Sequence, residues 1–521
     1  MAKSQAKISS NGKNIKVATK IQKSLKDARS QKPIGIIDIG SNSIRLVVYS
    51  NTARTPMPIY NEKAVCALGK GLEDSGKLNV EGVQIAKPSI GRFIRLARLM
   101  KVGRLDIVAT AAVRDARDGK QFVDDLEKSF NARIRILSGA QEAAAAAFGV
   151  LCAKPKAKGL VADLGGGSLE LIPVDGIPGE TYASLPLGLL RLSDSSKGKR
   201  DKTEKILDAA FEKLPWLADS QGKTLYAVGG AWRSLARLCM AQTSYPLTVL
   251  DSFEMDANEA VDLLELIARQ TPSSLERMPG IPGISKKRSP QLPLASLVLC
   301  KLLRAARPSR LVFSVFGMRE GQFFCALPAK VRRLDPLIDA SMQMARLNSR
   351  FPEHGSELLD WSSPLFPNET EDELRLRYAA CLLGDFFWNI HPDYRAEQAL
   401  LRIQRLPVMG LDHHGRAILA LAVFARYQGE EDNPQAQRLL PLAGEDGARR
   451  ARLIGLALRM GLMVSGGVPN LLKKTTLVME GNALILYVPK KEPAFIPSVD
   501  ARFEKLARAT GCDSFEIRRM S

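Results

Sequence analysis

The chain has 521 residues, 45% of them hydrophobic and 25% charged, a balance that excludes a mainly disordered protein. Its 75 Lys and Arg against 55 Asp and Glu give a net charge of +20, which points toward a polyanionic partner. The 7 cysteines include no C-x-x-C pair, and the count is odd, which argues against a disulfide framework or a Cys-rich zinc site. Apolar stretches such as Ala417–Ala425 are too short to span a membrane. The basic N-terminus lacks the apolar run of a secretory signal, so a cytoplasmic protein with no membrane partner is expected.

Residues 1–33 read as a flexible basic arm, with nine Lys or Arg against the single acid Asp27. Order begins at Ile34. Two β-branched runs flank Gly40-Ser41-Asn42, predicting strand, tight turn and strand over 34–49. Helical spacing covers Val83–Lys101, short strands are predicted at Leu105–Thr110 and Arg133–Leu137, and the Ala-rich Gln141–Cys152 predicts a helix.

Near residue 158 the scheme restarts. Gly159–Val174 repeats strand, Gly turn and strand, so that Asp38 matches Asp163, Gly40 matches Gly165 and Ser43 matches Ser168. Two half-similar α/β domains, 34–157 and 158–330, explain the repeat. A third Gly turn follows at Gly229-Gly230, before Ala-Trp-Arg233, and Leu311–Phe316 predicts a strand ending at Gly317. Residues 331–465 read as helical, with helices at 335–350, 371–388, 416–427 and 447–463. Residues 466–521 read as a small α/β module.

The paired Asp-x-Gly turns carry the chemistry. A glycine turn lets backbone N–H groups approach phosphate oxygens, and an Asp at the strand end suits a divalent cation. The alternative is an ordinary hairpin whose glycines supply positive φ. Phosphoanhydride hydrolysis also needs a group to orient or deprotonate water. All four histidines lie at 354, 391, 413 and 414, outside the α/β half, so a carboxylate must serve there. Glu142 stands near the start of the Ala-rich helix. By position alone it reads rather as a first-turn acid favoured by the helix dipole.

Asp38-Ile-Gly-Ser-Asn-Ser43, Ala109-Thr-Ala-Ala-Val-Arg-Asp115, Ser138-Gly-Ala-Gln-Glu-Ala143 and Asp163-Leu-Gly-Gly-Gly-Ser168-Leu-Glu170 occur in that order. Together they resemble the exopolyphosphatase/guanosine pentaphosphate phosphatase family of the actin-like ATPase superfamily. The resemblance implies two ribonuclease-H-like domains facing across a cleft, then a helical HD-like domain. It implies that Glu142 activates the attacking water and Arg114 neutralises the terminal phosphate. It places Mg²⁺ at Asp38, Asp163 and Glu170, and leaves a monovalent cation open. Gly40, Ser41, Asn42, Ser43, Gly165, Gly166, Gly167, Ser168, Gly229 and Gly230 would hold phosphates, with Arg191 loosely placed at the cleft. The implied substrate is inorganic polyphosphate or, in the same pocket, guanosine pentaphosphate, and the implied state is a homodimer without a specific nucleic-acid partner. A non-catalytic polyphosphate- or nucleotide-binding regulator is the rival from another class.

The helical region departs from the HD pattern. Gly384-Asp385 stands where a His-Asp or His-Glu pair is expected, and Gln428 where a His is expected, so no HD metal centre is expected. Asp412-His413-His414 reads as a solvent-facing helix start. Basic runs at Arg191–Lys202, Lys286–Arg288 and Arg449–Arg452 favour a polymeric anion.

Overall fold

The computed structural model describes residues 32–51, 53–285, 288–429, 432–490 and 500–520. The basic arm, apart from its last two residues, and Lys286 and Lys287 lie outside the described residues. The first sheet holds β1 (Ile34–Ile39), β2 (Ser43–Tyr49), β3 (Pro58–Val65), β4 (Arg104–Ala109) and β5 (Ile134–Ile136) in the order β3-β2-β1-β4-β5. The second holds β6 (Lys158–Leu164), β7 (Leu169–Asp175), β8 (Ala183–Leu185), β9 (Thr224–Val228), β10 (Phe253–Asp256) and β11 (Arg310–Ser314) in the order β10-β11-β9-β6-β7-β8. Apart from the antiparallel edge strand β10, the second sheet repeats the first: two antiparallel pairings, then parallel neighbours. The central strand β1 buries Ile34, Ile36, Ile37 and Ile39, the near-continuous apolar run of a strand covered on both faces.

Two helices are exchanged between the sheets. Helix α1 (Gly139–Ala153) follows the first sheet in sequence, yet its Ala143, Ala147 and Val150 pack with Val161, Ile172 and Tyr226 of the second. Helix α2 (Met318–Ala326) follows the second sheet, yet its Phe323, with Leu327 just beyond it, packs on Ile34, Ile36, Val47 and Tyr49 of the first. The two helices cross in close contact, which explains the small residues. A Cβ at Gly321 would stand 1.8 Å from the Ala145 carbonyl oxygen. The Ser138/Gln141 capping box starts α1.

The helical region contains Pro336–Asn348, His354–Ser362, Glu371–Leu383, Pro392–Gln404, His413–Arg426 and Leu440–Ser465, the last kinked at Gly444. The C-terminal strands β12 (Thr476–Glu480), β13 (Ala483–Pro489) and β14 (Ser514–Met520) form a sheet in that order, with a helix over Asp500–Ala509. This α/β segment has no core of its own: Leu477, Leu486, Phe503 and Leu506 join Leu358, Leu400 and Leu458 in one apolar cluster. Arg54, fully buried, ties the parts together, donating to the carbonyls of Cys152 (2.8 Å) and Leu334 (3.0 Å).

The histidines do not gather. His354 meets Ser465, His391 starts its own helix, and His414 meets the Leu442 carbonyl. Asp412 caps the helix as expected, but His413 is buried rather than solvent-facing, between the Tyr245 hydroxyl (2.9 Å) and the Asp251 carbonyl (3.0 Å). Asp385 accepts three hydrogen bonds from Arg350, two from its guanidinium and one from its backbone N–H. All seven cysteines are free. Among the described residues, no helix is long and apolar enough to cross a membrane.

Candidate active site between the two sheets

The two Asp-x-Gly turns meet at one cavity of about 740 Å³, within the range of small-ligand sites. The turns have the same closure: Gly40 N–H donates to the Ser43 carbonyl (3.1 Å) and Gly165 N–H to the Ser168 carbonyl (3.0 Å). Gly40, Gly165, Gly166 and Gly167 all keep ordinary negative φ, so left-handed hairpin geometry does not account for them. Close approach accounts for Gly167 and, less severely, for Gly40, where a Cβ would stand 3.1 Å from the Ser43 carbonyl oxygen, whereas Gly165 and Gly166 have room for one. A Cβ on Gly167 would stand 2.5 Å from the Ser41 hydroxyl of the other turn. Gly229 does need its positive φ of 123°, and a Cβ there would meet the Leu164 carbonyl at 2.4 Å.

Strand register sets the chemistry of each wall. In the first sheet Asp38 pairs with Arg45, and Arg45 with Lys63. In the second, Asp163 pairs with Glu170, and Glu170 with Ser184. One repeat thus builds an acid–Arg–Lys row and an acid–acid–Ser row. Arg233 after β9, Arg288, and Arg319 at the start of α2 join the basic side. Glu142, in the first turn of α1, joins the acidic side. Among the described residues four carboxylates and five cations line the cavity.

Each group's ionisation follows from burial and these neighbours. Burial pushes Glu142 up, Glu170 and Asp38 add to that, and Arg114 opposes it. Glu170 is likewise raised, by burial and Asp163, and burial lifts Asp163 to about 6 against the pull of Arg233 and Arg319. Asp38 is raised by burial, with Arg319 at 4.0 Å opposing. Opposite the acids, burial and the guanidiniums of Arg288, Arg45, Arg319 and Arg233 bring the Lys63 ammonium down to about 8. Burial and the nearby Arg319 lower Arg233 to about 10.

The structure brings Asp38, Gly40–Ser43, Glu142, Asp163, Gly165–Ser168, Glu170, Gly229 and Gly230 to this cavity. It places Arg114 elsewhere. Arg114 stands behind Glu142, bonded to that carboxylate, to Asp115 (3.0 Å) and to the Leu137 carbonyl (3.2 Å). Arg191 pairs with Glu73 and Asp115 and is also outside the main cavity. Among the described residues no three His, Cys, Asp or Glu side chains converge as a ligand set, so Asp38, Asp163 and Glu170 do not by themselves close a metal cage.

Sequence reasoning missed Arg45, Lys63, Arg233 and Arg319. Arg45 had a signal, since it occupies the repeat position of Glu170. Arg233 and Arg319 each follow a Gly turn closely. Lys63 had none, because only strand pairing brings it beside Arg45.

The profile of the Ppx/GppA phosphatase family matches residues 47–330, and that of the exopolyphosphatase C-terminal domain matches residues 337–515. The chain is 26% identical over 468 residues to retrograde regulation protein 2 of Saccharomyces cerevisiae, covering 82% of this chain and 78% of that one. It is 29% identical to exopolyphosphatase 1 of Mycobacterium leprae, over 55% of this chain and 87% of the relative. It is 22% identical to a guanosine-5'-triphosphate,3'-diphosphate pyrophosphatase of Aeromonas salmonicida, over 87% and 92% of the two chains.

Proposed function

Because the chain belongs to the Ppx/GppA phosphatase family, we propose that its cleft removes terminal phosphates from inorganic polyphosphate. The observation that carries the choice of a polymeric anion is the basic wall. Arg45, Lys63, Arg233, Arg288 and Arg319 line one cavity with the glycine turns, and only Arg319 stands within ion-pair distance of a cavity carboxylate. A terminal phosphate held at the turns leaves the following phosphates to these cations. Among the described residues no aromatic side chain lines the cavity, so it offers no stacking platform for a nucleobase, which favours the inorganic chain.

The catalytic step then belongs to Glu142. Its carboxylate takes a proton from water as the water oxygen attacks the terminal phosphorus, and the bridging P–O electrons leave with the shortened chain. Arg114, bonded to Glu142 from behind, orients that carboxylate and favours its ionised form. It acts as a positioning residue. The glycine turns bind the terminal phosphate with backbone N–H groups. A magnesium ion fits the donors present: Asp38 and Asp163 are hard oxygen ligands at the strand ends, with Glu170 beside them. An ion that keeps waters and takes phosphate oxygens needs only one or two carboxylates. When bound it would offset phosphate charge and lower the raised acids.

Guanosine pentaphosphate is the second reading, favoured by the Aeromonas relative's match along nearly the whole chain. The test is phosphate release from long polyphosphate and from guanosine pentaphosphate with Mg²⁺, each with a salt titration of binding. A salt slope for polyphosphate steeper by several units supports the extended track. Equal slopes with faster turnover of the nucleotide would reverse the preference. Tight binding without hydrolysis of either would assign a regulator.

A further inference from the structure

A second cavity, of about 520 Å³, lies against the first and shares Ser168 with it. The partition between them is made of groups already described. Arg114 grips Glu142 and Ser184 donates to Glu170 (3.1 Å), and both Arg114 and Ser184 line the second cavity. Two acids of the active site are therefore held from the far side of this wall.

The second cavity contains an arrangement suited to an anion. Asp115 accepts from Arg114 Nε (3.0 Å) through one oxygen and from Arg191 Nη1 (2.8 Å) through the other. Two guanidiniums thus share one carboxylate, with Glu73 as a further partner of Arg191. A tetrahedral oxyanion can replace Asp115 at both arginines, because it presents the same paired oxygens.

In-line displacement puts the attacking water opposite the leaving chain. The chain lies on the Lys63 and Arg45 side, and water is activated at Glu142, next to the partition. After cleavage the shortened chain still occupies the basic wall, so orthophosphate formed beside Glu142 has no free path back through it. We propose, resting on the phosphohydrolase reading above, that the second cavity is the exit site for orthophosphate. Arg114 and Arg191 receive the product, and Asp115 competes for both guanidiniums and so keeps its stay short. No covalent step is added: the ion pairs exchange one anion for another.

The test uses the full chain with long polyphosphate and Mg²⁺. Acid quench reads bond cleavage, and a fluorescent phosphate sensor reads release. Orthophosphate should inhibit the wild type non-competitively against polyphosphate, because it binds outside the main cleft. Arg191→Gln should weaken that inhibition about tenfold, the effect of one lost charged partner. Asp115→Asn should strengthen it by a similar factor and make release lag behind cleavage. Arg191→Lys, which keeps the charge, should stay within about threefold of wild type and controls for folding damage. Competitive inhibition in the wild type, or shifts of the same sign in Arg191→Gln and Asp115→Asn, would overturn the exit site. If the wild type hydrolyses neither polyphosphate nor guanosine pentaphosphate, it is the phosphohydrolase reading that fails. Orthophosphate titration of the same proteins by phosphorus NMR then decides on the site alone, with the same opposite shifts expected.

Discussion

Arg114→Ala separates a positioning role from phosphate neutralisation. Glu142 is pushed toward its protonated form by burial, by Glu170 and by Asp38, and Arg114 is the cation that opposes this. An opposite charge at contact distance typically depresses a carboxyl pKa by about 1–3 units, so its removal should raise Glu142 by that amount. A general base must be ionised to work. Its ionised fraction at neutral pH falls about tenfold for each unit of pKa above the ambient pH, and recovers tenfold for each unit by which pH is raised. With Glu142 already raised to about 9 in the free protein, the variant should lose about 10–10³-fold in kcat/KM at pH 7, and its activity should keep rising with pH through and beyond the point where the wild type levels off. Glu142→Gln, which has no base to recover, should lose about 10²–10⁴-fold at every pH while still binding polyphosphate. The assay is a pH profile of kcat/KM with short polyphosphate, a parameter that excludes product release. A loss in Arg114→Ala that is equal at all pH values would refute the argument and return Arg114 to direct contact with the phosphate.

Lys63, brought down to about 8 in the free protein, must gain a proton when a phosphate chain binds at higher pH. Polyphosphate affinity should fall by up to about tenfold per pH unit above that value, as read by titration calorimetry, and Lys63→Arg should flatten the dependence. Asp385→Ala should leave turnover within about twofold while lowering thermal stability by about 1 kcal/mol through loss of the Arg350 pair. Metal retained on purification and lost in that variant would contradict a metal-free helical region. His413 is lowered to about 4 by burial and by Arg416, so it stays neutral in the fold while the unfolded chain takes a proton below about pH 6.5. Stability should be complete above that pH and fall by about 3 kcal/mol as pH drops toward 4, seen as a falling melting temperature. His413→Asn should show a shallower acid slope, and parallel slopes would contradict the assignment.

Much of the α/β half was legible because its signals are local. The Asp-x-Gly turns, the repeat that matches Asp38 with Asp163, and the Ala-rich helix after Ser138 each lie within a few consecutive residues. The order of the motifs carried the family likeness, and with it the catalytic reading of Glu142 that position alone disfavoured. What was not legible depends on pairing across distance. Arg114 lies inside a recognised motif, Ala109–Asp115, yet it stands behind Glu142 because the Leu137 carbonyl and Asp115 hold it there. Lys63 enters the site only through the β2–β3 register. The exchange of α1 and α2 leaves no local trace either, since small residues in a helix do not say which sheet they approach. In the helical region, His354–Ser362 and Pro392–Gln404 escaped notice because their apolar positions are sparse. The burial of His413 depends on Tyr245 and Asp251, from the other half of the chain.

The helix exchange also bears on how the site is assembled. Glu142 is carried by α1, whose apolar face belongs to the second sheet, whereas Arg114 follows β4 of the first. The proposed base and the arginine bonded to it therefore ride on different sheets. The same is true on the basic wall, where Arg45 and Lys63 belong to the first sheet and Arg233 follows β9 of the second. Any change in the angle between the sheets must alter the Arg114–Glu142 contact and the spacing of these cations together. A phosphate chain that draws the two basic groups toward itself acts on the same degree of freedom that seats the base. Ground-state binding along the chain and alignment of Glu142 are then one mechanical event, so binding energy from remote phosphates should appear in kcat as well as in KM. On this geometry, shortening the substrate from long polyphosphate to tripolyphosphate should lower kcat in the wild type. The kcat of Lys63→Ala should be less sensitive to chain length, because the variant has already lost part of the grip that closes the sheets. A chain-length effect confined to KM in both proteins would separate binding from alignment and refute the coupling.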